Sequence, residues 1–276
     1  MRNPILTSKD NPLVRTIRMV TAQTRRAPPE LVVAEGLRVL EEATSAGCAL
    51  EAALVTDNFG TDPRERALLD TWSARNVPVR RAAASLMRRL SDVVSPQGAL
   101  ALVRIPFLTL ASLKERPNPL ILCLCGIQDP GNLGTLLRTA RAVGVSLACA
   151  ASGTVSARSP KVIRASAGAF FHIPVVEGLR PAEFFDYCRA RRISLYQANA
   201  RAEHSCWTID LKGPAAIVLG NEARGLAGEE WSGIPSIGIP MTPGVESLNV
   251  AVAGAVLLFE ALRQRSATVT ANAIET

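Results

Sequence analysis

Residues 119–127 read PLILCLCGI, a run with no charge and no alternation of polar with apolar positions. A strand that shows one face to water alternates; an unbroken apolar run belongs where both faces are covered, as in a parallel sheet flanked by helices. That brings a topology with it, because parallel neighbours need a crossover of a dozen or more residues, usually a helix. The chain repeats the pattern: SLACAA, ISLYQA, AAIVLG and SIGIP are short strand-like runs separated by helical or loop segments such as TLLRTARAVGV and PAEFFDYCRARR. After the turn QDPGNLG, Leu133, Leu136, Leu137, Ala140 and Val143 recur at helical spacing. Residues 119–268 are therefore expected to form a doubly wound parallel α/β domain.

Upstream, LVVAEG, GLRVLEEATSAG and ALEAALVTDN read as strand, helix, strand. Pro63 to Trp72 reads as the next helix, VPVRR as a short strand, ASLMRRLSD as a helix and GALALVRI as a further strand. This gives a small α/β unit over 1–105. LTLASLKERPNP, with Pro117 and Pro119, is the expected linker over 106–118, and 269–276 is expected to be a flexible polar tail.

With 276 residues and 48% hydrophobic side chains, the chain can bury substantial cores, which excludes disorder and collagen-like repeats. The formal charge of +7 favours an anionic partner without naming one, and basic residues are spread over both halves rather than gathered in a tail. The six cysteines form no CxxC pair, and His172 and His204 cannot supply a zinc site, so no metal is expected. Three of the cysteines lie in strand-like runs, where a thiol behaves as a small hydrophobe, and a reducing cytoplasm is the simplest setting. The N-terminus lacks the apolar core of a signal peptide, and no later run reaches membrane-spanning length, so no membrane partner is expected.

Parallel sheets bind ligands beyond the carboxyl ends of their strands. Three strand ends carry unusual loops: Asp129-Pro130-Gly131-Asn132-Leu133-Gly134 before the helix with Arg138; Gly220-Asn221-Glu222-Ala223-Arg224-Gly225-Leu226; and Ile239 through Met241 and Glu246 to Ser247-Leu248-Asn249. Arg138 lies off the apolar stripe of its helix, where it could hold a phosphate or a developing oxyanion. Taken alone, each feature has an ordinary reading: a surface Arg in a salt bridge, a Gly-bounded turn, and Ser247 as a helix cap. Asn249, a poor helix former, is harder to explain by propensity. There is no GxGxxG turn, no GxxxxGK loop and no E/D-x-G-x-G strand end.

Asn132 followed by Arg138, then GNEARGL, then IPMTPGVESLNVAVAGAVLLFEALRQR, resembles the three motifs of the SpoU (TrmH) family of SPOUT RNA 2'-O-methyltransferases. The resemblance covers 119–265, and three motifs in order are far more specific than one. SPKVIRASAGAFFHIPV, at 159–175, resembles the family's connecting segment. The N-terminal unit is similar to the family's substrate-binding domain, which itself resembles a ribosomal RNA-binding protein.

The resemblance implies transfer of a methyl group from S-adenosylmethionine (AdoMet) to a ribose 2'-hydroxyl, with large-subunit ribosomal RNA as the substrate. A transfer-RNA 2'-O-methyltransferase and a non-catalytic RNA-binding protein that keeps the fold are the alternatives. It implies a trefoil knot from GNEARGL to the last helix, and cofactor contacts at Gly220, Ile239 and Leu248, with Asn221 and Met241 as further candidates. Asn221 departs from the family pattern, where many members carry a smaller residue. Arg138 is implied as the central catalytic residue; a guanidinium is a poor base, so it is expected to anchor phosphate and stabilise the oxyanion. Asn132 would position Arg138 or the ribose, Glu222 would orient the site, and Ser247 and Asn249 would hydrogen-bond substrate or Arg138. Lys9, Arg15, Arg18, Arg25, Arg26 and Arg164 are the expected RNA contacts. A homodimer packed through the last helix is also implied; the small residues Ala251, Ala253, Gly254 and Ala255 fit that or internal packing equally well.

Overall fold

The computed structural model describes residues 4–91, 93, 96–221, 225, 226, 231 and 233–274. The chain divides into two compact units, Met1–Phe107 with Arg158–Phe171, and Leu108–Ala157 with His172–Thr276.

In the first unit, helix α1 (Pro12–Thr21) precedes β1 (Leu31–Glu35), α2 (Leu37–Ser45), β2 (Ala49–Val55), α3 (Pro63–Ala74), β3 (Val79–Arg81), α4 (Ala84–Leu90) and β4 (Ala99–Arg104). The sheet order is β1-β4-β2-β3, with β4 antiparallel to both neighbours and β2 parallel to β3. Helix α1 was not among the expected elements, although its signals are in the sequence. The Asn11 side chain accepts the Leu13 N–H at 3.0 Å, and Pro12 takes the first turn. Val14, Ile17 and Val20 then fall on one face and join Leu54, Leu86, Met87, Leu100 and Leu102 in the core. Trp72 is fully buried, and its indole N–H donates to Thr44 Oγ1 at 2.9 Å, so its polar atom is satisfied inside.

The first unit also takes in α6 (Pro160–Ala165), and the second holds β5 (Leu120–Leu124), α5 (Pro130–Ala142), β6 (Leu147–Ala151), β7 (Val175–Leu179), α7 (Pro181–Ala190), β8 (Ser194–Ala198), β9 (His204–Ser205), β10 (Ala215–Leu219), β11 (Ser236–Gly238) and α8 (Val250–Ile274). The order is β7-β6-β5-β10-β8-β11-β9, and every neighbouring pair is parallel. Every residue of β5, β6 and β10 is buried, as their unbroken apolar runs predict. The edge strand β7, with Glu177 and Gly178, gave no such signal.

Cys123, Cys149 and Cys188 pack with Ile121, Phe184 and Val218, and burial pushes the Cys188 thiol up to about 12. Leu108, Leu110 and Leu113, from the expected linker, also pack against this core. At the far end, α8 continues to Ile274 and takes in most of the expected tail. No helix among the described residues is long and apolar enough to cross a membrane.

Helix α8 lies against α5, and Gly254 serves that packing. A Cβ on Gly254 would come 2.4 Å from Leu136 Cδ2 and 2.7 Å from Leu219 Cδ1. Further along, buried Glu260 accepts two hydrogen bonds at 2.8 Å from Arg263 and one at 2.7 Å from Gln264. The Gln264 side chain in turn accepts the Leu211 N–H at 2.8 Å and donates to the Ile209 carbonyl at 3.0 Å.

Candidate active site

The sheet order sets β10 between β5 and β8, so the loops leaving these strands meet although they are far apart in sequence. Beyond β5, Gly126 has φ +69° and its N–H donates to Thr154 Oγ1 at 3.0 Å. Beyond β10, Asn221 and Gly225 exchange two backbone hydrogen bonds of 2.8 Å. Asn221 Nδ2 donates to the Gly126 carbonyl at 2.8 Å and so ties the two strand ends together. Gly220 is required by close approach: a Cβ there would lie 2.3 Å from the Gly225 carbonyl carbon and 2.5 Å from Leu226 N.

A cavity of about 560 Å³ opens at these ends. Gly220, Asn221, Ile239, Met241 and Leu248, the five cofactor candidates, all line it, together with Ser247. Its size falls in the usual range for small-molecule sites, about 300–1,000 Å³. Leu219, Ile237, Ile239, Met241 and Leu257 give it apolar walls, and the loop backbone supplies donors and acceptors. That combination fits a flat purine base, and Gly220 leaves backbone where a side chain would otherwise stand. A third wall was not anticipated: Gln197, Asn199 and Arg201, at the carboxyl end of β8 and just beyond it. The signal is in the sequence, since ISLYQA has a strand pattern and its end belongs with the other strand ends. A cavity of about 530 Å³ beside Leu113, Tyr187 and Arg191 lies at the opposite ends of the strands and carries none of the motif residues.

The loop expected over Asp129–Gly134 is already helical, because Asp129 caps α5 by accepting the Asn132 N–H at 2.7 Å and Pro130 fills its first position. Asn132 thus sits in the first turn, where its Oδ1 accepts a hydrogen bond from Asn249 Nδ2 at 3.1 Å. Asn249 rather than Ser247 caps α8, with Oδ1 accepting the N–H groups of Ala251 at 2.9 Å and Val252 at 3.3 Å. That explains an Asn at this position and leaves Ser247 to the cavity. Asn249 therefore positions Asn132, and its amide is occupied in doing so. Arg138 is exposed on α5 and makes no hydrogen bond or ion pair with any described residue, so the surface salt bridge of its ordinary reading is absent among them. Glu222 lies outside the described residues.

Lys9, Arg15, Arg18, Arg25 and Arg26 are all exposed, on α1 and the segments beside it. Arg164 differs. Its Nη1 pairs at 3.5 Å with Glu35, a buried carboxylate that also accepts a hydrogen bond from Ser91 Oγ. This pair links α6 to β1 within the first unit.

Residues 119–259 match the SpoU rRNA Methylase family, and residues 11–101 match the MRM3-like substrate binding domain. Among relatives, the chain is 31% identical over 96% of both chains to an uncharacterized tRNA/rRNA methyltransferase of Synechocystis sp.. It is 41% identical to the 23S rRNA (guanosine-2'-O-)-methyltransferase RlmB of Xanthomonas axonopodis, over 53% of this chain and 59% of that one. The AdoMet-bound rRNA methyltransferase from Sinorhizobium meliloti superposes with a TM-score of 0.81 at 27% identity, covering 94% of this chain and 97% of the other. With its motif residues gathered at one set of strand ends and matches that span nearly its whole length, the chain belongs to the SpoU rRNA methylase family.

Proposed function

We propose that this protein transfers a methyl group from AdoMet to a ribose 2'-hydroxyl of large-subunit ribosomal RNA. The observation that carries the reading is the convergence of Gly220, Asn221, Ile239, Met241 and Leu248, drawn from two separate motifs, on one cavity beside the Asn132–Asn249 pair. AdoMet, when bound, supplies an electrophilic methyl group on its sulfonium. A ribose hydroxyl is a weak acid, so this chain must favour the charge that grows on the 2' oxygen as its proton leaves to solvent. Arg138, exposed and without a described partner, does this as a fixed cation that also holds a neighbouring phosphate. It does not take the proton, because a guanidinium stays charged throughout the working pH range. Asn132, held by Asn249, orients the ribose, Ser247 donates from the cavity, and Glu222 orients the site.

The first unit grips the RNA through Lys9, Arg15, Arg18, Arg25 and Arg26, with Arg164, beside Glu35, as a further contact. The chain is read as knotted between residue 220 and α8, as the family resemblance implies. It is also read as a homodimer. Gly254 is used internally, and support for the dimer comes from Val252 and Phe259, 51% and 52% exposed on α8. Light scattering should give a dimer that Phe259→Asp converts to a monomer, and a monomeric wild type would refute this part. Six free thiols, five of them buried, agree with a reducing cytoplasm. The test of the whole reading is to map 2'-O-methyl positions in ribosomal RNA from cells with and without the gene. Loss of one defined large-subunit mark is expected, and unchanged marks would refute it.

A further inference from the structure

We infer that Arg201 recognises the carboxylate of the methionyl end of AdoMet. This rests on reading the 560 Å³ cavity as the cofactor site. The polar side chains around the cavity can be sorted by what already occupies them. Gln197 Nε2 donates to the Ile234 carbonyl at 2.8 Å, Asn199 Oδ1 accepts the Arg201 N–H at 2.9 Å, and Asn221 Nδ2 donates to the Gly126 carbonyl at 2.8 Å. Ser247 and Arg201 remain, and Arg201 is the one charged residue among the described lining residues.

The turn that carries Arg201 is held firmly. Asn199 N–H donates to the Ile237 carbonyl at 3.0 Å, and Ala202 N–H donates to the Asn199 carbonyl at 3.2 Å. A Cβ on Gly238 would come 3.0 Å from the Asn199 carbonyl oxygen and 3.2 Å from Ala202 Cβ, so the turn packs directly on β11. The turn therefore places a cation on the rim of a cavity whose walls are otherwise neutral among the described residues. Apolar walls take the adenine; the carboxylate is the one anionic group of AdoMet, and a guanidinium on the rim matches it by charge and by forked geometry.

The test is equilibrium binding, by calorimetry, of AdoMet and of decarboxylated AdoMet to the full-length protein and to its Arg201→Ala and Arg201→Lys variants. Wild type should bind AdoMet about five- to tenfold tighter than the decarboxylated form, the range for a partly exposed charge-assisted contact. Arg201→Ala should erase that preference and leave affinity for the decarboxylated form unchanged; Arg201→Lys should keep part of it. If wild type discriminates and Arg201→Ala discriminates equally, this inference fails and the cavity reading survives. If Arg201→Ala weakens RNA binding alone, the residue is a phosphate contact and the inference also fails. If wild type does not bind AdoMet, both readings fall.

Discussion

Gly220→Ala is the substitution whose cost can be worked from the geometry. The added Cβ would sit 2.3 Å from the Gly225 carbonyl carbon, 2.5 Å from Leu226 N and 2.6 Å from the Gly225 oxygen. All three are backbone atoms, so no rotamer change relieves the overlap, and the passing segment must retreat by about 1 Å to reach ordinary contact. That movement breaks the two 2.8 Å hydrogen bonds between Asn221 and Gly225. Each bond is worth about 1 kcal/mol net, and overpacking of this kind adds about 1–3 kcal/mol, giving roughly 3–5 kcal/mol in all. The displaced residues Asn221, Gly225 and Leu226 line the cavity. If the free loop relaxes and binding must restore its native path at a cost of only about 1.4 kcal/mol, affinity falls tenfold. Calorimetric titration with AdoMet should therefore show at least roughly tenfold weaker binding by Gly220→Ala, and urea unfolding should show a lower midpoint. Gly254→Ala is the contrast, since its crowding meets the Leu136 and Leu219 side chains rather than backbone. It should lower stability by about 1–3 kcal/mol with a smaller effect on AdoMet. Native AdoMet affinity in Gly220→Ala would refute the close-approach account of this glycine.

Arg138→Ala should abolish methyl transfer while leaving AdoMet affinity within about twofold of wild type, because the side chain is exposed on α5 and is not among the residues lining the cavity; near-normal single-turnover transfer would remove it from the mechanism. The double variant Arg15→Ala, Arg18→Ala should weaken RNA binding and lower the slope of log affinity against log salt by up to about two, with AdoMet binding unchanged. Glu260 is held below the usual carboxylate range, chiefly by its hydrogen bonds with Arg263 and secondarily by Gln264. A lowered folded-state pKa contributes stability at neutral pH that is lost as pH falls through and below the carboxylate range. The urea midpoint of wild type should thus drop toward acid pH more steeply than that of Glu260→Gln, and parallel profiles would contradict this.

Much of the second unit was legible because burial on both faces leaves a plain mark: β5, β6 and β10 are unbroken apolar runs, and all three are wholly buried. The edge strand β7 and helix α1 were harder. One carries a Glu and a Gly, and the other hides Val14, Ile17 and Val20 among arginines. The cavity was legible only in part. Two of its walls come from loops with distinctive residues, whereas the third, at Gln197, Asn199 and Arg201, follows from sheet order, which is a property of the folded chain. Asn249 shows the converse case. Its type looked chemical and is explained by a cap, yet the same amide reaches Asn132, so one residue ends a helix and positions the site. Among the RNA candidates, charge identified the exposed cations but could not reveal that Arg164 is paired with a buried carboxylate.

The central claim is transfer to a ribose oxygen. Purified protein incubated with methyl-labelled AdoMet and unmodified large-subunit ribosomal RNA, followed by alkaline hydrolysis, tests it most directly. A methylated 2' oxygen cannot assist cleavage of the adjoining phosphodiester, so the label should appear in an alkali-resistant dinucleotide. Label released in single nucleotides would place the methyl group on a base, and no incorporation despite AdoMet binding would deny the chemistry altogether.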